Sequence, residues 1–314
     1  MRQGKPKVVV YFGKEKNSTD PFGGFGAKRK VYYELFDCGS KIGLEMYVSS
    51  GRPAYKGGLF FGNLLKFEKG KFIECQGVIE ADAVYDRSGG LAFPSDEISD
   101  KVLNSASFKK LCADKNATHE TLGNLMPKSI KIQSTAVLEK ELAKFPSDKM
   151  AVLKPASDFG GKGIFIDYPE KLKKVTIERD YVLQEFVDTS KGIKGLVDGL
   201  HDLRVVIVEG NIVFAHVRTP KEGSLLANVA QGGGIFEIGL EMIPEYVMNS
   251  VRKVQDIIDD KYNKPLYSVD FGISNDRAYV FELNDQIGFP NENMHSRKKF
   301  ICNIAKSLKR LAAK

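Results

Sequence analysis

An α/β protein is what this sequence predicts, and three observations carry that reading. First, KVVVYF at 7–12 is a short β-branched and aromatic run, followed by a polar, glycine-rich loop (EKNSTDPFGGFG). Val31, Leu35 and Ile42 then share one helical face before a second apolar run at 44–48. Strand, loop, helix and strand in that order open a parallel α/β unit. Second, short hydrophobic runs later in the chain come in pairs joined by turn residues, with helical stretches between the pairs. That is the pattern of antiparallel hairpins packed under helices. Third, the apolar fraction, 42% of 314 residues, is enough to fill real cores and excludes general disorder.

The elements follow in order. The helix is predicted over 27–43. GLFFGNLLKF and KFIECQGVI flank an EKGK turn and predict a hairpin, and AVYD at 83–86 predicts a further core strand, so a first α/β domain covers 1–95. Helices are expected over 96–113 and 117–125, and Pro127 stops the second. SIKI at 129–132 reads as a strand and 135–145 as a helix. VLKPASDFGGKGIFI at 152–166 is two apolar strands separated by a crossing marked by Lys154, Gly160, Gly161, Lys162 and Gly163. A hairpin turns in about two to five residues, so this crossing is too long for a simple turn. A helix over 168–175 and a strand over 181–187 complete a second segment, 96–187. The third, 188–314, holds a hairpin over 202–218 turning at Glu209, Gly210 and Asn211, a glycine-rich loop over 227–234, a helix over 241–262, and a hairpin with strands 266–273 and 278–284 turning at SNDR.

The net charge of +7 comes from 47 basic and 40 acidic residues. Residues 296–314 hold seven Lys/Arg and no acid, so the rest of the chain is near neutral. Such a tail can serve nucleic acid or an anionic surface. Here Phe300, Ile301, Ile304, Leu308 and Leu311 fall at helical spacing, which predicts a helix docked by its apolar stripe. No nucleic-acid reader motif appears. The four cysteines, Cys38, Cys75, Cys112 and Cys302, form no CxxC and lie near no histidine at metal-ligand spacing, which predicts reduced thiols in a cytoplasmic protein. No stretch approaches the roughly 20 apolar residues of a membrane span.

Two clusters carry chemistry. Gly160, Gly161 and Gly163, with Lys154 and Lys162, allow close backbone approach to phosphate and add positive charge. Glycine follows Gly161-Lys162 and a strand comes next, so this is not the P-loop, which opens a helix. DPFGGFGAKRK likewise starts like a dinucleotide fingerprint and ends on Arg29, where that fingerprint needs glycine. In the second cluster, Asp270 stands in SVDFG, with Glu282 and Asn284 in VFELND. Glu282 and Asn284 are two apart and share a sheet face, which a short hairpin can also give to Asp270. Two carboxylates and an amide oxygen are hard ligands suited to Mg²⁺.

Together these clusters resemble the ATP-grasp superfamily of ligases, in an ordered set running from about residue 101 to 312. ADKNAT is similar to the family's first nucleotide-lysine segment (Lys115), and AVLKPASDFGGKG to the second lysine strand and mobile phosphate-covering loop (Lys154, Gly160, Gly161, Gly163). LQEFV resembles the adenine-binding hinge (Gln184, Glu185, Val187). HDLRVVIVEGNIVFAHVRTP resembles the D-x-R strand and its arginine-bearing partner (Arg204, Arg218), and LANVAQGGG the N-x-x-x-G-G loop (Asn228, Gly232, Gly233). DFG with FELN resembles the magnesium triad, Asp270, Glu282 and Asn284. The spellings look closest to RimK-type and glutathione-synthetase-type ligases. ELNDQIGFP departs from relatives, which commonly carry a small residue after the asparagine and Pro-Gly shortly after.

The resemblance implies an α+β ATP-grasp fold in which 1–95 is a pre-ATP-grasp domain and two lobes, 96–187 and 188–314, clamp the nucleotide. It implies a ligase that uses ATP and two Mg²⁺, with Mn²⁺ as substitute, to join a small-molecule carboxylate to an amine through an acyl phosphate. Arg204, Arg218 and Asn228 would serve the chemistry; amino acids or peptides would suit the arginines. A homo-oligomer fits the family. Two other readings stand: a catalytically inactive, regulatory ATP-binding relative, and a basic nucleic-acid-binding protein.

Overall fold

The computed structural model describes residues 4–17, 20–26, 28–51, 54–89, 100–157, 162–227 and 232–314. β1 (Lys7–Phe12), α1 (Lys28–Lys41) and β2 (Glu45–Ser50) form the expected opening unit, with β1 and β2 parallel from Lys7 opposite Glu45 to Phe12 opposite Ser50. There follow β3 (Tyr55–Lys56), β4 (Leu59–Phe61), β5 (Leu64–Glu68), β6 (Lys71–Glu74), β7 (Val78–Glu80), β8 (Ala83–Asp86) and β9 (Val102–Leu103). The main sheet runs β6-β5-β2-β1-β8-β9, parallel from β2 to β9 and antiparallel at the β5–β6 edge.

Two expectations for this region change. The hairpin is confined to β5 and β6, while β4 pairs with β3 and β7 in a separate three-stranded sheet. Gly62 (φ 61°) and Asn63 (φ 41°) take left-handed backbone between β4 and β5 and break what reads as one run. The helix expected over 96–113 also starts later. Residues 102–103 are β9, 96–99 lie outside the described residues, and α2 (Ala106–Ala113) opens where the Ser105 hydroxyl accepts from the Phe108 N–H.

α3 (Lys115–Leu122) begins two residues before the expected start, because Asp114 accepts from the Asn116 and Ala117 N–H groups at 2.9 and 3.4 Å. A four-stranded antiparallel sheet comes next, in the order β10-β13-β11-β12, from β10 (Ser129–Ile132), β11 (Ala151–Pro155), β12 (Phe165–Asp167) and β13 (Tyr181–Glu185). α4 (Thr135–Leu142) and α5 (Pro169–Leu172) cover one face, burying Ile132, Leu138, Leu142, Leu153, Leu172 and Leu183. The helix expected over 168–175 shortens to α5, and the strand expected over 181–187 stops at Glu185.

The last sheet runs β16-β15-β14-β17-β18, from β14 (Asp202–Val208), β15 (Asn211–Thr219), β16 (Gly234–Ile238), β17 (Leu266–Ser274) and β18 (Arg277–Asn284). Glu209-Gly210 (φ 53° and 74°) and Asn275-Asp276 (φ 49° and 56°) make the two hairpin turns, both with paired left-handed residues. β16 is an addition that the glycine-rich tract before it conceals. One face packs under α6 (Glu245–Tyr262) through Val247, Val251, Val254 and Ile258 against Val205, Val269 and Phe271. Strand alternation sends Val206, Val208 and Phe214 to the other face, where α7 (Arg297–Leu311) covers half the sheet. The uncovered half carries Asp202, Arg204, Arg218 and Asp270.

The basic C-terminal segment docks as its spacing predicts. Phe300, Ile301, Ile304, Leu308 and Leu311 are buried between α1 and the β14–β15 strands. Part of its charge is used within the chain, with Arg297 paired to Glu34 and Arg310 to Glu209. Among the described residues no helix is long and apolar enough to cross a membrane.

Candidate active site

A cleft of ≈ 360 Å³ lies between the four- and five-stranded sheets. Its roof comes from β11, β12 and β13. Ala151 and Leu153 point into the core beneath α4, so Val152 and Lys154 point into the cleft, joined by Ile164, Ile166 and Gln184. Its floor is the uncovered half of the other sheet, with Asp202, Arg204, Arg218, Asp270, Glu282 and Asn284. Glu185, Phe186 and Val187 line the connection between the two sheets.

Two lysines come from the roof side. Lys154 is buried, and its ammonium donates to Gln184 Oε1 at 3.0 Å and to the Phe281 carbonyl at 3.4 Å. Gln184 donates in turn to Ser129 Oγ at 2.8 Å, so both ends of its amide are engaged. Lys115 is the first residue of α3; its N–H donates to the Ala156 carbonyl at 3.0 Å, which ties that helix to the end of β11. Its ammonium lies 3.6 Å from Glu282 Oε1. Burial lowers the Lys154 pKa to about 8; Glu282 opposes the shift and Lys115 adds to it.

The floor is a network of paired ions. Arg204 forks onto Asp270 with two bonds of 2.6 Å. Arg218 forks onto Asp202 at 2.7 and 2.6 Å and reaches Asp270 Oδ2 at 2.7 Å. The ladder explains the meeting: Arg204 is opposite Asp270, Asp202 opposite Arg218, and Asp270 opposite Glu282. Burial alone would raise the Asp270 pKa, but Arg204 and Arg218 outweigh it and hold the carboxyl well below its ordinary value. Asp202 shares only Arg218, so burial and the charge of Asp270 push it up to about 6. Of the two acids, Asp270 is therefore the one that holds its charge more firmly. His216, opposite Arg204, is lowered to about 3 by burial and by Arg204 and Arg218, leaving a neutral imidazole.

Whether this floor suits a divalent cation follows from its donors. Asp270 and Glu282 face each other across the ladder, and Asn284 Nδ2 lies 3.4 Å from Asp270 Oδ2. Among the described residues no group of three His, Cys, Asp or Glu could hold a metal; here the third oxygen belongs to an amide. Two carboxylates and an amide oxygen are hard ligands of the kind Mg²⁺ takes, so the residues fit. Asp270 already accepts from two arginines, so cation binding exchanges part of that pairing.

Lys115, Lys154, Gln184, Glu185, Val187, Arg204, Arg218, Asp270, Glu282 and Asn284, all singled out in the sequence, line this one cleft. Gly163 (φ 70°) stands beside it, where a Cβ would press on Pro155 at 3.1 Å, and its neighbours Lys162 and Ile164 line the cleft. Gly160, Gly161 and Asn228 lie outside the described residues. Asp202, the acid of the D-x-R strand, was given no role of its own in the sequence reading, and here it holds Arg218. Its position two before Arg204, on the same strand face, was the signal.

Two sheets closing over one charged cleft define the class: the fold is that of the ATP-grasp proteins. The chain superposes on D-alanyl-alanine synthetase A from Vibrio cholerae with a TM-score of 0.62 at 12% identity, covering 98% of this chain and 99% of that one. A RimK domain ATP-grasp protein from Sphaerobacter thermophilus gives 0.61 at 12% identity, over 97% and 98%. D-alanine–D-alanine ligase from Bacillus anthracis complexed with ATP gives 0.58 at 14% identity, over 98% of each chain. No curated protein matches by sequence. The RimK-like ATP-grasp domain model matches residues 125–310, and the chain belongs to that family.

The lysine geometry gives a first prediction. Free Lys154 is partly deprotonated above pH 8, and a bound phosphate anion favours its charged form. Binding of a non-hydrolysable ATP analogue takes up a proton near pH 8, and its affinity falls between pH 7 and pH 9. Calorimetry in buffers of different ionisation enthalpy checks this. An observed heat independent of the buffer would remove Lys154 from the phosphate site.

Proposed function

We propose that this protein is an ATP-dependent ligase that joins a small carboxylate to an amine, making an amide or peptide bond. One observation carries the reading: a single cleft places two buried lysines opposite a floor of three carboxylates, an amide and two arginines. Phosphoryl transfer needs little from a protein beyond positioning and charge neutralisation, and this set supplies both.

Lys154, aimed by Gln184, and Lys115 meet the phosphates from above. Asp270, Glu282 and Asn284 would hold Mg²⁺, two ions in this reading with Mn²⁺ able to replace them; when bound they neutralise phosphate charge. Val152, Ile164, Ile166, Leu226 and Phe281 give the cleft apolar walls that suit a base and exclude water. Dryness matters because the proposed intermediate, an acyl phosphate made when the carboxylate takes the terminal phosphoryl group, hydrolyses readily. The Arg204 fork is taken up by Asp270, so in this reading its remaining N–H groups would hold the substrate carboxylate, while Arg218 would stabilise the oxyanion formed as the amine attacks. ADP and phosphate then leave. No side chain is required as a dedicated base, and His216 stays neutral beside the arginines.

A second reading, a nucleotide-binding relative without ligase activity, draws on Asp270 being satisfied by two arginines before any cation arrives. A phosphate-release screen over pairs of amino acids and small acids with Mg·ATP, followed by mass spectrometry of the product, separates the two. The ligase reading expects ADP formation that requires both acid and amine, with a condensed product one water lighter than their sum. Tight ATP-analogue binding without turnover for any pair would favour the second reading.

A further inference from the structure

We propose that Cys38 and Cys302 form a modification site: a dithiol that closes to an intramolecular disulfide and staples α1 to α7. The two sulfurs lie 3.1 Å apart although 264 positions separate them in the chain. Both are half-buried and both border a groove of ≈ 440 Å³ that opens between the helices, lined also by Lys30, Glu34, His295 and Lys298. The groove gives a small oxidant a route to the pair.

The interface holds the sulfurs together from both sides. Towards the start of α7, Arg297 forks onto Glu34 of α1 at 2.8 and 3.0 Å. Towards its end, Lys309 Nζ donates to the Ile42 carbonyl at 2.8 Å. Cys302 lies between these two anchors, so the thiols stay neighbours while the helices remain docked. Bonded sulfurs stand about 2.05 Å apart, so closure asks for a movement of roughly 1 Å. Burial, assisted by Cys302 and Asp37, raises the Cys38 pKa to about 12, which keeps that thiol protonated and slow to react alone. A partner already in contact makes its step intramolecular.

The oxidant is a small disulfide, for which oxidised glutathione is the probe. One cysteine attacks it, forming a mixed disulfide and releasing one glutathione thiol. The second cysteine then attacks the protein sulfur and releases the other. In sum two S–H bonds are lost, one S–S bond forms, and the oxidant is reduced to two thiols. The crosslink joins the parallel sheet's helix to α7, whose Phe300 packs on Phe214 of the sheet that carries Arg204 and Arg218.

Reduced full-length protein treated with oxidised glutathione, alkylated and peptide-mapped should yield a linked pair containing Cys38 and Cys302, with no lasting adduct at either. Dithiothreitol should restore both thiols. The oxidised form should unfold several degrees higher, since the bond closes a very long loop. In Cys38→Ser or Cys302→Ser the remaining cysteine should instead keep a glutathione adduct. Should either serine variant fail to fold, the wild-type map decides alone. Both thiols remaining alkylatable, a lasting adduct on the wild type at either position, or linkage of either to Cys75 or Cys112 overturns the proposal.

Discussion

Asp270→Ala is expected to destabilise the fold by about 3–5 kcal/mol as well as to end turnover. Arg204 and Arg218 keep only 17% and 14% of their side chains exposed, and Asp270 keeps 4%. Removing the shared carboxylate leaves Arg204 without its partner and Arg218 with Asp202 alone; breaking a buried pair from one side typically costs that much. The effect has a defined pH window. The folded pKa of Asp270 lies below its ordinary value of 3.8, so its contribution is present above about pH 4 and is lost as pH falls through the lower folded value. Denaturant melts at pH 7 should show the wild type clearly more stable than the variant. The gap should narrow in strong acid, where the wild-type carboxylate is neutralised. A variant as stable as the wild type at pH 7 would mean that the arginines find other partners.

Lys154→Met and Glu282→Ala should also lose turnover, by about 10²–10³ or more, but leave the fold cooperative. Lys154 is a buried cation whose pKa is already lowered, so an apolar side chain of similar length is expected to leave stability unchanged within about 1 kcal/mol or to raise it. Glu282 is 28% exposed with a single weak ion pair at 3.6 Å, so its removal costs the fold little. ADP formation beside denaturant melts separates the two effects. Full activity in either variant would sink the site assignment.

Much of this site was legible before any coordinates. Glu282 and Asn284 share a face because strand side chains alternate, and Lys154 escapes the core because Leu153 takes it. The stripe on α7 likewise announced a docked helix. β16 was not legible, since a glycine-rich tract precedes it and its residues are only partly buried. Nor was β9, a two-residue strand whose pairing with β8 no local pattern signals.

What the chain determined by itself, then, is which side chains face together along each element, because helix and strand periods are properties of neighbouring residues. Only the tertiary structure decided which faces meet: Asp202 with Arg218, two arginines with Asp270, Gln184 with Lys154, and Cys38 with Cys302. Those pairings join residues from 16 to 264 positions apart. They arise from sheet order and helix docking, which depend on burying the whole core at once rather than on neighbouring residues.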